Sequence, residues 1–544
     1  MTARLIALFL LFSLLVPMAM TGAEEDINSR LARFNQEYGR DQIAALEILK
    51  PCNHPKLVDA LAMVFGDENT STGQTYDAVY MMADRVFETV EGDDTVLRMH
   101  DYVTPNRQLR VRKHFAAGLG VERSPLSLPF LIKMAPVEKE EVIQFEMARS
   151  LCAYNDDDAF IALFKLCNKA LSMTVSLQAL RGLQAVKSES TTELLRKLYL
   201  GKAPNQIRGE AFNSLYERRD DLVDEELVKA LSDRDTAVRV AAISIAVAEK
   251  REDLSDTFVS MLTAPEWEVR SAAIKACAEL KIAKAIGPLI ELWKVEPGRI
   301  GDDIHKALLK ITGVSLGPDW RYWEAWYKNL AEPPKAGDKE GEYISYHGLQ
   351  TKSKNIAFVV DRSGSMMEPV KSKTSGYVGD GAVVKDDTKM AFVKAELIRV
   401  IKSLPEDTVF NMVAFDSTVS VWKKEQTKAV KKSKEEAIRW VEALTPNGQT
   451  NVYDALVEAF GKMNPGGKPN TQYKEGGPDT IFLLTDGLPN NGTITNPPDI
   501  LTAIATMNRV RQVTIHTIGV GKLCEPFLKP LAEQNHGVYK LIAE

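Results

Sequence analysis

The segment "FVVDRSGSM", residues 358–366, decides the fold class of the C-terminal part of the chain. An apolar run typical of a buried β-strand leads directly into Asp361, and Ser363 and Ser365 follow at alternate positions. One carboxylate and two hydroxyls therefore lie together where the strand ends. Such a group can bind a metal ion, supply a nucleophile or form a plain turn, and the rest of the sequence has to separate these interpretations.

Short apolar segments that alternate with helical patterns surround this strand end. The candidate strands are "NIAFVVD", "TVFNMVAF", "DTIFLLTDG" and "QVTIHTIGVG", with "VSVWK" as an antiparallel edge strand. Alternating strands and helices predict an α/β doubly wound (Rossmann-like) domain, in which a mainly parallel sheet is covered on both faces. Ligands of such sheets bind beyond the carboxyl ends of the strands, where Asp361 and Asp486 are expected.

Five oxygen-bearing side chains occur along this domain in the following order: Asp361, Ser363, Ser365, Thr450 in "NGQTN" and Asp486 in "LLTDG". The set resembles the metal-ion-dependent adhesion site (MIDAS) of the von Willebrand factor A domain, which combines an Asp-x-Ser-x-Ser strand end, a threonine in a later loop and an aspartate ending the fourth strand. The resemblance covers about residues 350–544. It implies that the serines and the threonine bind a divalent ion directly, while the aspartates act largely through water and hydrogen bonds.

The chemistry of these side chains indicates which ion is expected. Mg²⁺ is a hard cation that prefers oxygen ligands and keeps several waters, and Mn²⁺ or Ca²⁺ accepts a similar set. Zinc and copper are disfavoured because the set contains no thiol and no imidazole. An ion bound mostly by uncharged hydroxyls keeps enough charge to attract an anionic oxygen. The resemblance therefore implies capture of an Asp or Glu side chain of a protein partner.

The turn and nucleophile interpretations are weaker. A plain turn at 361–365 does not explain why Thr450 and Asp486 follow it in the order, and in the predicted elements, that the metal site requires. A nucleophilic serine needs a base, and none of the seven histidines forms a motif with Ser363. The sequence therefore predicts a binding protein and not an enzyme, with a metal-assisted hydrolase as the less favoured alternative. Because Asp361 and Asp486 end strands, we also expect them to face solvent and to be dispensable for folding.

Two features depart from the usual pattern of the family. Gln449 stands where a second glycine is common, and it is expected to stiffen or cover its loop. The segment 367–389 lengthens the connection after the first strand end, and its glycines and mixed charges predict a surface loop. Asp380, Asp386 or Asp387 of this loop could fold back onto the ion, and a loop without a role is the alternative.

A repeated pattern lies upstream of this domain, in "NQIRGEAFNSL", "TAVRVAAISIA" and "WEVRSAAIKAC", with Arg208, Arg239 and Arg270 at equal intervals. A second apolar pattern separates successive copies, so each unit is predicted to be a pair of amphipathic helices. One pair cannot bury its apolar stripe alone, whereas stacked pairs can. The pattern resembles the short HEAT-like repeats of bacterial proteins and predicts an all-α HEAT-like solenoid over 24–330.

Aromatic residues and then a segment rich in proline and glycine end the repeats. Trp320, Trp323 and Tyr327 share one helical face in "GPDWRYWEAWYKN" and are predicted to cap the solenoid, with a ligand platform as the alternative. Residues 331–345, which contain "AEPPKAGDKEGE", are predicted to be a linker. The predicted von Willebrand factor A domain then spans 346–544.

The N-terminal segment "MTARLIALFLLFSLLVPMAMTGAEED" has the basic residue, short apolar run and small residues of a signal peptide. We predict that residues 1–23 are removed and that the protein is exported, periplasmic or extracellular, with no transmembrane segment in the mature chain. The formal net charge of −6 provides no basic field for nucleic acid. The five cysteines contain no CxxC pair, which favours buried thiols over a disulfide framework or zinc site.

Together these patterns predict an exported, metal-dependent protein that serves in binding, adhesion or scaffolding. In the main hypothesis, the C-terminal domain captures a carboxylate of its partner through a bound cation. In the alternative, the protein is an assembly scaffold whose HEAT-like solenoid is the main binding surface, and the C-terminal domain only docks to another subunit.

Overall fold

A computed structural model of the chain describes residues 27–67, 76–296, 298–330, 343–370, 387–461 and 477–543. The predicted signal peptide at 1–23 and most of the predicted linker, residues 331–342, lie outside the described residues. Contacts divide the chain into two compact units, Met1–Leu131 and Ile132–Glu544.

The first unit is built from helices that pack around aromatic side chains. Its helices are α1 (Ile27–Tyr38), α2 (Gln42–Ile48), α3 (Pro55–Gly66), α4 (Tyr76–Asp84), α5 (Asp93–Val103) and α6 (Leu109–Glu122), and the division between the units falls inside α7 (Ser127–Met134). The buried rings of Phe65, Phe87 and Phe115 have centroids 5.3 to 5.8 Å apart. Aromatic burial of this kind gives the unit a core of its own.

The second unit begins with a series of helices that form a repeating array. These are α8 (Glu141–Leu151), α9 (Asp157–Lys169), α10 (Met173–Ala185), α11 (Glu189–Leu200), α12 (Asn205–Glu217), α13 (Asp221–Ala230), α14 (Thr236–Ala248), α15 (Ser255–Met261), α16 (Trp267–Glu279), α17 (Ile286–Val295), α18 (Arg299–Thr312) and α19 (Trp320–Lys328). The equally spaced arginines lie on α12, α14 and α16. The sequence prediction of paired, stacked helices is therefore confirmed for this region.

Each of these arginines pairs with an acidic residue just before the next equivalent helix. Arg239 lies 2.7 Å from Glu266, and Arg270 lies 2.8 Å from Glu296. Arg208 makes two parallel hydrogen bonds to Asp233, at 3.0 and 2.9 Å, in the turn before α14. We call this series the arginine ladder. It explains the equal intervals, because each guanidinium ties its own repeat to the following one.

Helix α19 closes the C-terminal end of the array. Trp323 is fully buried, and its indole Nε1 donates a hydrogen bond to the carbonyl of Gly317 at 3.0 Å. The ammonium of Lys294 lies 5.2 Å from the ring centre of Trp320. Tyr327, on the same helix, stays half exposed. Trp323 thus covers the apolar end of the array, while part of the aromatic face remains in contact with solvent.

The remaining described residues of the second unit, 343–370, 387–461 and 477–543, form an α/β domain. A small antiparallel pair, β1 (Ile344–Tyr346) and β2 (Leu349–Thr351), precedes the main sheet. The main sheet contains β3 (Asn355–Asp361), β4 (Val409–Phe415), β5 (Val419–Val421), β6 (Thr427–Lys428), β7 (Thr480–Thr485), β8 (Thr514–Val520) and β9 (Tyr539–Ala543). Its helices are α20 (Lys389–Ser403), α21 (Lys431–Glu442), α22 (Val452–Ala459), α23 (Pro497–Arg511) and α24 (Glu525–Gln534).

The strand order places β3 at the centre of the sheet. The order is β5-β4-β3-β7-β8-β9, and β6 also pairs with β4. Strand β3 runs parallel to β4 on one side and to β7 on the other, whereas β5 and β6 are antiparallel to β4. The predicted doubly wound α/β domain after the helical repeats is therefore confirmed. Strand order reverses between β3 and β7, which is where sheets of this class bind ligands.

Within the second unit, the α/β domain packs against the repeat helices mainly through α22 and α23, and Lys275 of α16 also lies 3.0 Å from His536 Nε2. Arg509 of α23 lies 2.7 Å from the buried carboxylate of Glu210, and Gln206 donates to the carbonyl of Thr506 at 3.2 Å. The Tyr453 hydroxyl donates to the Thr174 hydroxyl at 3.2 Å. We call this set of contacts the docking interface. The repeat helices α10 and α12 therefore already contact this chain's own α/β domain.

The docking interface should respond to pH through Glu210. Burial raises the pKa of Glu210 to about 7, although Arg509 acts to lower it. The folded unit thus keeps a proton that the unfolded chain releases above its ordinary pKa of 4.5. We expect Glu210 to lower the free energy of unfolding by about 2 to 3 kcal/mol as the pH rises from about 5 to about 8.

Denaturant unfolding of the wild-type chain and of Glu210→Gln at several pH values measures this difference. The difference between the two proteins is the relevant quantity, because the pKa values of three histidines, His347, His516 and His536, are lowered to about 4, chiefly by desolvation. These groups add stability as the pH rises to about 6.5, opposite in sign to Glu210. Equal pH dependence of the two proteins contradicts the prediction.

Candidate metal centre

The predicted site residues begin at the carboxyl end of the central strand. Asp361 is the last residue of β3, and its side chain is fully buried. One carboxylate oxygen accepts a hydrogen bond from the backbone N–H of Ser363 at 2.7 Å, and the other accepts from the Thr485 hydroxyl. The first bond closes a tight turn after the strand. Asp361 thereby fixes the backbone from which both serines project.

Three further site residues form a chain of hydrogen bonds. The hydroxyl oxygens of Ser363 and Ser365 lie 3.1 Å apart, and the Ser365 hydroxyl donates to Asp486 Oδ1 at 2.7 Å. Asp486 directly follows β7, which is the neighbour of β3 in the sheet. Strand pairing therefore brings together residues that are more than a hundred positions apart in the sequence.

Thr450 lies in the neighbouring loop, between α21 and α22. The backbone N–H of Gly364 donates to the carbonyl of Gly448 at 3.0 Å, which joins this loop to the serine turn. The backbone N–H of Thr450 donates to Asn490 Oδ1 at 2.8 Å, which joins it to the loop after β7. Thr450 is buried between these two connections. Gly448 has a positive φ of 68°, a conformation that glycine adopts without strain.

The expectation that Asp361 and Asp486 face solvent is wrong. Asp361 has no exposed surface and Asp486 is 4% exposed. Both strands end beneath loops, and the loops bury the carboxylates while supplying hydrogen bonds to them. Burial raises the pKa of Asp361 to about 6, against the lowering effect of the Thr485 and Ser363 hydrogen bonds. Substitution at Asp361 therefore affects packing as well as charge.

A cation that the sequence analysis missed lies beside the aspartates. The ammonium of Lys389, the first residue of α20, lies 2.7 Å from Asp486 Oδ2 and 2.7 Å from Glu368 Oε2. Burial lowers the pKa of Lys389, but its hydrogen bonds to these two carboxylates outweigh that effect and the pKa is raised. A basic residue in the first turn of a helix interacts unfavourably with the helix dipole. Lys389 occupies such a position, and this feature of the sequence could have indicated that its ammonium has acidic partners.

The two departures from the family pattern have structural counterparts. Asn491 Nδ2 donates to Gln449 Oε1 at 2.6 Å, so the glutamine connects the Thr450 loop to the loop after β7. The two described ends of the long segment 367–389 meet beside the serine turn, where Val370 N–H donates to the Asp387 carbonyl at 2.9 Å. Asp387 is exposed, and Asp380 and Asp386 lie outside the described residues.

The donor set fits a hard divalent cation. In an octahedral shell with bonds of about 2.1 Å, neighbouring oxygens are about 3.0 Å apart, and the two serine hydroxyls are separated by 3.1 Å. Among the described residues, no group of three or more His, Cys, Asp or Glu side chains is suited to a metal ion. No helix in the described ranges is both long and apolar enough to cross a membrane.

A mainly parallel sheet with a cluster of oxygen-bearing side chains where the strand order reverses is typical of ligand-binding α/β domains. Residues 380–541 match the family described as von Willebrand factor type A domain, and residues 225–301 match HEAT repeats. The chain therefore carries a von Willebrand factor A domain preceded by HEAT repeats, which confirms the resemblance noted in its sequence.

Similar curated proteins are inter-alpha-trypsin inhibitor heavy chains. Human heavy chain H3 is 26% identical over 203 residues, which are 37% of this chain and 20% of that protein. Mouse heavy chain 4 is 27% identical over 215 residues, covering 38% and 20%. The chain spans about a fifth of the length of these relatives.

Similar solved structures include a von Willebrand factor type A protein from Catenulispora acidiphila, with 21% identity and a TM-score of 0.26 over 36% of this chain and 40% of that one. Another is proximal thread matrix protein 1 from the mussel byssus, with a zinc-occupied MIDAS motif. It has 16% identity and a TM-score of 0.24 over 48% of this chain and 59% of that one.

Proposed function

We propose that the A domain binds a divalent cation, Mg²⁺ or alternatively Mn²⁺ or Ca²⁺, and through it captures an Asp or Glu side chain of a protein partner. The proposed donors are Ser363, Ser365 and Thr450, with Asp361 and Asp486 holding them in place. The 3.1 Å separation of the two serine hydroxyls is the observation that carries the proposal. When bound, the ion would supply a positive charge that attracts a carboxylate.

The roles of the chain's own residues follow from their hydrogen bonds. Because Ser365 donates its hydroxyl hydrogen to Asp486, the lone pairs of its oxygen are available to a cation. Asp361 holds the turn through the N–H of Ser363, so both hydroxyls stay on one side of the strand end. The hydroxyls carry no charge, and a cation bound to them stays attractive to an anion.

We also propose that the protein is not an enzyme and that it is exported after removal of residues 1–23. In the described part of the chain, the hydrogen bonds of Ser363 and Ser365 lead to each other, to backbone, to Asp361 and to Asp486, with no histidine as a base. A scaffold that binds mainly through its repeats is less favoured, because α10 and α12 are already engaged by the A domain.

The test is ion binding by the full chain from Glu24 onwards. We expect one saturable site for Mn²⁺ or Mg²⁺ in titration calorimetry. Thr450→Val should weaken ion binding about tenfold or more, because it removes the hydroxyl oxygen that would bind the ion and keeps a side chain of similar shape. Thr502→Val, at an exposed helix position, is the matched control.

Partner capture is tested with an immobilised peptide that carries Asp and a matched peptide that carries Asn. Retention of the chain should require both the Asp peptide and the ion, and it should disappear with a chelator. The proposed function is refuted if the chain shows no saturable ion binding, or if its retention on the Asp peptide is the same with and without the chelator.

A further inference from the structure

The side chain of Lys389 contacts Asp486, one of the proposed site residues. Its ammonium lies 2.7 Å from Asp486 Oδ2, and the Asp486 side chain has no exposed surface. The other oxygen of Asp486 accepts from Ser365 at 2.7 Å. A lysine and a proposed ion donor therefore share one buried carboxylate.

The backbone holds Lys389 in this position. Its N–H donates to the carbonyl of Glu368 at 2.9 Å, and Pro369 and Thr388 form an isolated antiparallel bridge beside it. The Thr388 side chain also caps α20 by accepting from Ala391 N. Lys389 is consequently fixed against the turn that carries Ser365. The two carboxylates compensate for the unfavourable helix dipole at this end of α20.

We propose that Lys389 is a built-in counter-ion that weakens the site's affinity for the divalent ion and strengthens the bound ion's attraction for an acidic partner. This inference rests on the proposed function. Asp361 and Asp486 together would neutralise a divalent ion, and the ammonium leaves one positive charge in excess. That excess charge repels the ion and attracts the partner's carboxylate.

The other charges near the turn do not remove this effect. Arg362 pairs with Asp416 at 3.0 Å, so its charge is compensated. Glu368 also contacts the ammonium, but its side chain is 62% exposed and solvent screens it. Asp486, in contrast, is buried, where charge interactions are stronger. The charge balance at the buried centre is therefore set by two aspartates and one lysine.

A purely structural role for Lys389 predicts a different result. If the ammonium only positions Asp486, its removal loosens the site, and both ion binding and partner capture weaken. The counter-ion role predicts opposite changes in the two affinities. Measuring both quantities on the same variant therefore separates the two roles.

The experiment uses Lys389→Met, which has similar length without charge, and Lys389→Gln, which keeps an N–H donor for Asp486. Lys402→Gln is the matched control, because it removes a charge from an exposed position at the far end of α20. Mn²⁺ affinity is measured by titration calorimetry on the full chain. Capture of an Asp peptide, with an Asn peptide as reference, is then measured at saturating Mn²⁺. Thermal unfolding verifies that each variant is folded.

We expect both Lys389 variants to bind Mn²⁺ about tenfold more tightly and the Asp peptide several-fold more weakly, with smaller differences at high salt. Lys402→Gln should behave as the wild-type chain. Unchanged or weaker Mn²⁺ binding by both variants overturns the inference while leaving the proposed function intact. Absence of Mn²⁺ binding by the wild-type chain overturns both.

Discussion

The Asp361→Asn variant is expected to bind Mn²⁺ about 10- to 100-fold more weakly than the wild-type chain while remaining folded. Asparagine keeps an oxygen that can accept from the N–H of Ser363, so the turn after β3 persists. It removes the negative charge from the fully buried position beneath the serines. Titration calorimetry gives the affinity, and thermal unfolding without ion verifies the fold.

Two comparisons make this result specific. Asp407→Asn changes an exposed carboxylate just before β4, at the opposite edge of the sheet, and should leave Mn²⁺ affinity unchanged. Asp361→Ala should also destabilise the domain by about 1 to 3 kcal/mol, because it leaves the Thr485 hydroxyl and the Ser363 N–H without their acceptor. Wild-type Mn²⁺ affinity in Asp361→Asn contradicts the assignment of this site.

Arg509→Glu is expected to weaken the docking interface and to lower the free energy of unfolding of the second unit by about 1 to 3 kcal/mol at about pH 8, where Glu210 is ionised. The substitution places a second carboxylate against Glu210, whose side chain is 1% exposed. The Arg509 side chain is 42% exposed, so solvent screens the new carboxylate in part, whereas the buried Glu210 loses its cationic partner. Denaturant unfolding followed by fluorescence measures the loss.

The double variant Glu210→Arg with Arg509→Glu should recover part of the lost stability, because it restores an ion pair of opposite orientation. Arg439→Glu is the matched control, since it makes the same charge change at an exposed position of α21. If Arg509→Glu is as stable as Arg439→Glu, the contact between Arg509 and Glu210 does not hold the A domain to the repeats.

The sequence carries strong signals for features that depend on local pattern. The apolar runs before Asp361 and Asp486 predict buried parallel strands, and parallel strands necessarily bring their carboxyl ends to one edge. The equal intervals of Arg208, Arg239 and Arg270 predict repeats, and the arginine ladder is the physical reason for those intervals. In each case a pattern within a short stretch of sequence, or its regular recurrence, is sufficient to indicate the structural element.

Other features have no local signal. Lys389 reaches Asp486 across 97 positions, and the apolar pattern of α20 gives no indication of that contact. Arg509 and Glu210 are 299 positions apart, and each resembles an ordinary charged residue on a helix. The composition of 331–345 predicts a linker, but linker composition does not reveal whether the joined domains also touch. The burial of Asp361 depends on loops that cover the strand end, which strand patterns do not report.

The arginine ladder has a consequence for how the array can change in evolution. Each arginine pairs with an acidic residue that precedes the next equivalent helix. A deletion that begins at one ladder arginine and ends just before the next therefore removes one complete pair. Every remaining arginine keeps its acidic partner. Whole repeats can thus be gained or lost without leaving a guanidinium unpaired. The contacts of Glu210 with Arg509, of Thr174 with Tyr453 and of Lys275 with His536 constrain this freedom, since they select particular repeats for the A domain. Variation in array length should therefore be tolerated outside the docked repeats.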